Sequence, residues 1–164
     1  MRPLALLALA ALPLLPGCLI VIPVPAGIPA AASRAATPDP APMALDAAGQ
    51  ALNDLRMARG LSPLRPDSRL TAAARSHAAF LATGAGLTHR GADGSRPATR
   101  AAAAGCRTPY IGENIASGQR SLQQVLEGWM TSPGHRANIL NPRFGRFGLG
   151  QNGTSWVLLL ADAC

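Results

Sequence analysis

A chain of 164 residues has room for one domain and a tail. Its formal charge of +7 comes entirely from Arg, with no Lys, and these Arg are scattered rather than clustered. Aromatic residues are 4% of the chain, so the stacking platforms of a nucleic-acid binder are missing, and the charge reads as a mildly basic surface facing an anionic envelope.

Residues 1–17 read as an export signal. Arg2 gives the positive start, and Leu4 to Leu15 is an apolar run broken by Pro13, shorter than the roughly 20 residues a bilayer span needs. The run ends in Leu15-Pro16-Gly17-Cys18, similar to the bacterial lipoprotein box in which the Cys receives the lipid, with Pro16 as a departure. The alternative is an ordinary signal cut near Ile28-Pro29-Ala30 or Ala30-Ala31-Ala32, which discards Cys18. Under either reading Cys106 and Cys164 remain as an even pair in an oxidising setting. A bridge between them would close a loop of about 58 residues, and two separate buried thiols are the alternative.

Residues 18–43 carry Pro23, Pro25, Pro29, Pro38, Pro40 and Pro42 among Ala and read as an extended tether, reaching up to about 75 Å. The domain occupies residues 44–164. Leu45, Ala48, Leu52 and Leu55 predict a helix over 44–59, stopped by Gly60. Pro63 and Pro66 mark a turn, and Asp67 caps a second helix to about Thr83, with His77 on its apolar face. A polar loop holds His89 and the turn Asp93-Gly94. A short helix follows over 97–104, then a strand over 111–117. Ser121 caps a helix bearing Leu122, Val125, Leu126 and Trp129, and Ser132-Pro133 opens another, with Ser132 as its cap. The tail predicts a hairpin, strands 146–152 and 155–161 turning at Asn152-Gly153. Its run Trp156-Val157-Leu158-Leu159-Leu160 is too apolar for a wet face, so helices must cover both sides of the sheet.

The chain has two Glu and three His. Glu113 starts the strand 111–117, and a buried carboxylate there needs partners, which imidazoles supply. His135 falls in the first turn of a helix, whose positive end favours a neutral ring. With His89 reaching from its loop, two His and a Glu suit a divalent metal such as zinc with one position open. Alternatively, Glu113 clamps His89 or His135 to fix the loops, His77 is a core histidine, and Glu127 belongs to a solvated face. There is no G-x-S-x-G, H-E-x-x-H, C-x-x-C or phosphate loop.

Leu52-Asn53, Arg56, Gly60-Leu61, Leu64, His89, Gly112-Glu113-Asn114-Ile115-Ala116-Ser117-Gly118, Trp129-Met130, Ser132-Pro133-Gly134-His135-Arg136 and Asn138-Ile139-Leu140-Asn141-Pro142 occur in this order. This series strongly resembles the CAP superfamily (SCP/PR-1-like: cysteine-rich secretory proteins, antigen 5 and pathogenesis-related 1 proteins), nearest its bacterial branch, over about residues 44–161. The resemblance implies an α+β fold, a three-layer α-β-α sandwich with a small antiparallel sheet between helices. It also implies a cleft lined by two His and two Glu that binds divalent metal in some members. His89, Glu113 and His135 match three of the four. Ser132 stands where many eukaryotic members have the second Glu, and with its oxygen engaged as a cap it weakens any metal site. Asn114, Ser132 and His77 are accessory candidates.

The expected function is therefore an exported, lipid-anchored binding module of a bacterial envelope, with a lipid, glycan or protein as ligand and no nucleic acid. One alternative is a metal-dependent hydrolase using Glu113 as general base with His89 and His135. The other is a structural domain.

Overall fold

The apolar stripe of Ala48 and Leu52 folds as predicted, as one side of helix α1 (Pro40–Met57). The computed structural model describes residues 40–164; the readings placed on the export signal, on Cys18 and on most of the tether lie outside them. Helix α1 begins four residues earlier than the Leu and Ala spacing predicts. Pro40 and Pro42 fall in its first turn, where the missing N–H groups have no intrahelical acceptor to lose. The helix ends at Met57, and Gly60 takes φ +70°, the left-handed exit of a helix terminus.

Asp67 caps α2 (Ser68–Phe80), its carboxylate accepting from the backbone N–H of Arg69 and Leu70. The helix then widens into a π-type turn, Leu81–Ala85, which is kinked at Gly84 (φ +89°) and closed by Gly86 (φ +78°). Helix α3 (Pro97–Ala103) follows, and then strand β2 (Ile111–Ser117), α4 (Leu122–Thr131), α5 (Pro133–Ile139), β3 (Arg146–Asn152) and β4 (Ser155–Ala161). Strand β1 (Arg65–Pro66) lies in the stretch read from sequence as a turn. Arg65 N–H donates to the Gly145 carbonyl and Asp67 N–H to that of Phe147, so Pro66, which has no N–H, sits harmlessly between them on a sheet edge.

The sheet order is β1-β3-β4-β2. Strands β3, β4 and β2 are antiparallel, but β1 runs parallel to β3, so the sheet is mixed rather than wholly antiparallel. Asn152 pairs with Ser155, which leaves Gly153 and Thr154 as the two loop residues of the hairpin. Gly153 has φ +56° and Thr154 does not have a positive φ, so the turn is of the kind with Gly at its first central position, one residue beyond the Asn-Gly reading.

Alternation along the strands divides the core. Phe147, Leu149, Trp156, Leu158 and Leu160 pack with α1, α4 and α5 on one face, and Val157, Leu159, Ala161 and Ile115 pack with α2 and α3 on the other. Both faces of the sheet are thus covered, as the apolar run in β4 requires. On the second face Gly148 and Gly150 lie directly under α2, and a Cβ at either would come within 2.2 to 2.4 Å of helix backbone atoms. Cys106 and Cys164 are bonded as a disulfide, fixing the last residue to the segment after α3.

Candidate functional site

Strand β2 is an edge of the sheet, and Glu113 lies on it with the parity of Ile111 and Ile115, which face the α2/α3 layer. Its side chain is only 2% exposed. A carboxylate so buried needs compensation, and both of its oxygens have it: His89 Nδ1 stands 2.7 Å from Oε1 and Arg100 Nη2 2.6 Å from Oε2. A carboxylate only accepts, so His89 donates from Nδ1 and turns its other nitrogen outward from a side chain that is 55% exposed.

Arg100, from α3, does more than neutralise Glu113. Its Nη1 donates to the backbone carbonyls of His89 at 3.1 Å and Ser95 at 2.7 Å, closing the polar loop onto the helix. Behind the same loop, His77 Nε2 donates to the Thr88 carbonyl at 2.9 Å. His77 therefore supports the cleft from beneath and supplies no ligand to it. A cavity of about 470 Å³ opens between α2 and α3, with His77, Phe80 and Arg100 in its wall. His77 Nδ1 and Arg100 Nε are buried without a partner. Burial, and then the charge of Arg100, hold the His77 pKa below the ordinary imidazole value.

His135 approaches from the opposite layer. It sits in the first turn of α5, half-buried, and its backbone carbonyl accepts from Asn114 Nδ2 at 3.0 Å. Asn114 is fully buried and its Oδ1 accepts from Asn138 Nδ2 at 2.8 Å, a pair that locks α5 to β2. The His135 ring makes no hydrogen bond to Glu113. Its pKa is lowered, the direction expected from sequence, by burial first and then by the nearby His89. Ser132 is the N-cap residue by backbone conformation, but its side chain makes no capping hydrogen bond, so the hydroxyl expected to be engaged is free of that role.

The structure thus joins His89 to Glu113 and brings His135 to the same edge without bonding it to either. Their placement does not make a metal site. Among the described residues no three His, Cys, Asp or Glu side chains are placed to hold one ion, and Glu113 already shares its charge with a guanidinium. Arg100 and Asn138 are the site residues that sequence reading passes over as such. Arg100 is hidden by the Arg-rich composition, and its one signal is its position five residues before Gly105, in the short helix that follows the His89 loop.

The profile of the CAP family, cysteine-rich secretory proteins, matches residues 50–155. The uncharacterised protein YkwD of Bacillus subtilis is 33% identical over 134 residues, 78% of this chain and 52% of its own length, so the chain spans about half of that relative. An extracellular SCP-domain protein from Bacillus anthracis superposes with TM-score 0.67 at 24% identity, over 76% of this chain and 43% of its own. An outer surface protein of Borrelia burgdorferi gives TM-score 0.67 at 23% identity, over 74% of this chain and 94% of its own. The order of motifs, the layered fold around a four-stranded sheet and the profile match agree: the chain belongs to the CAP family and is of the bacterial type.

Proposed function

We propose that this protein is an exported binding module that takes a hydrogen-bonding envelope ligand at the His89/Glu113/His135 edge. The observation that carries the reading is the double engagement of Glu113, whose oxygens are occupied by His89 and Arg100. A general base must reach the proton it takes, and this carboxylate is 2% exposed with each oxygen already bonded to a group that holds the loop. What the edge offers instead is the outward nitrogen of His89, the half-buried ring of His135 and the Ser132 hydroxyl, polar groups set on a rigid frame. The relatives described as extracellular or outer-surface proteins support the exported setting. Full-length protein incubated with isolated envelope sacculi is expected to co-sediment, and His89→Ala/His135→Ala to do so about tenfold more weakly. Equal sedimentation of both, or hydrolysis of envelope glycan abolished by Glu113→Gln, would sink the reading.

A membrane anchor at Cys18 belongs to the same proposal, on the strength of the Leu15–Cys18 motif. Cys18→Ser should then leave the membrane fraction for the soluble one, and unchanged fractionation argues against the anchor. A lipid ligand has a separate support. An apolar groove of about 510 Å³ runs between α1 and α4, lined by Leu55, Leu122, Leu126 and Met130. Fluorescent fatty acid should bind the wild type and not Met130→Glu; binding equal in both removes the groove from consideration.

A further inference from the structure

We propose that Arg100 is the determinant that keeps divalent metal out of this cleft, acting as the resident cation on Glu113. Three observations lead there. The guanidinium is 2.6 Å from Glu113 Oε2, and the two side chains are 9% and 2% exposed, so the pair is shielded from solvent and weakly screened. Two further bonds, to the carbonyls of His89 and Ser95, hold the guanidinium in place, so it cannot swing aside for an incoming ion. His89 bonds the other oxygen of the same carboxylate and His135 stands near His89, so a dication arriving at these groups would meet a fixed positive charge across Glu113. The imidazoles and the carboxylate are the right donor types for zinc, and the charge balance is what Arg100 has already settled.

This exclusion of metal by Arg100 is independent of the cleft's ligand. It is tested by zinc titration of the full chain, read by calorimetry and by melting temperature. Wild type and Arg100→Lys, which keeps the charge, are expected to show no saturable one-to-one binding. Arg100→Gln, which keeps polarity without charge, should gain zinc affinity by about tenfold or more, with a melting temperature that climbs with zinc concentration. The gain should vanish in Arg100→Gln/His89→Gln. If Arg100→Gln is unfolded without metal, zinc-dependent recovery of its circular dichroism reads the same gain. Saturable zinc binding by the wild type that His89→Gln abolishes overturns the proposal. So does an Arg100→Gln protein that neither gains affinity nor is refolded by zinc, or a gain that persists in the double variant.

Discussion

Arg56, on α1, is a buried cross-link between elements outside the cleft. It is fully buried, with no carboxylate beside it, and its guanidinium instead donates to the carbonyls of Ser62, Ile139, Asn141 and Phe144 at 2.8 to 3.1 Å. Ile139 ends α5, so the cation also meets the negative end of that helix. Arg56→Lys cannot reproduce this planar fork and should cost about 2 kcal/mol, and Arg56→Ala about 3–5 kcal/mol, in urea unfolding. His77 gives a prediction in pH. Its folded pKa is depressed by burial and by Arg100, with Glu113 opposing and His89 adding slightly. The unfolded chain therefore takes up the proton first as pH falls through about 6.5, and the fold loses stability between there and the lower folded value. Unfolding curves at pH 7.5 and pH 5 should show that loss, and His77→Gln should reduce it, leaving the contribution of His135, whose pKa is lowered in the same direction. A wild type equally stable at both values contradicts the assignment.

At the scale of elements, the seam between α2 and β3 makes the sharpest prediction. Gly148→Ala or Gly150→Ala places a methyl group inside the α2 backbone and should cost about 3 kcal/mol or more. Gly128, exposed within α4 with open space around its Cβ position, provides the opposite sign. Gly128→Ala should stabilise by about 0.5–1 kcal/mol, and chemical denaturation of the three variants checks both directions. These glycines also show where sequence reading stops. Strands β2, β3 and β4 and helices α3 and α4 were legible because their apolar periodicity, Ser121 cap and Pro and Gly boundaries are local signals. Strand β1 was not, because its two residues pair only through a partner 81 positions away, Arg65 with Arg146. The same holds in the cleft. Glu113 and His89 announce themselves as rare residues in short motifs, whereas the role of Arg100 depends on the packing of α3 against β2, which no spacing along the chain encodes.

For the whole molecule, the Cys106–Cys164 bridge closes a segment with sequence separation 58, containing the α4 and α5 helices and the β2, β3 and β4 strands. In the chain-entropy model it contributes about 4 kcal/mol. Cys106→Ser/Cys164→Ser should unfold at correspondingly lower urea, and a stability loss below about 1 kcal/mol would show that the unfolded chain gains little freedom from removal of the bridge. The seam of α2 on Gly148 and Gly150 has a mechanical meaning as well. Interleaved side chains yield under load by hopping between rotamers, but helix backbone seated on strand backbone has none to change, so this joint is stiff. His77 rides on α2, and through the Thr88 carbonyl it anchors the root of the loop that presents His89. One bank of the His89/Glu113 edge is thus clamped to this stiff joint. Strain imposed from outside is taken up on the other bank, where α4 and α5 meet the sheet through Leu, Trp and Phe, and where His135 stands.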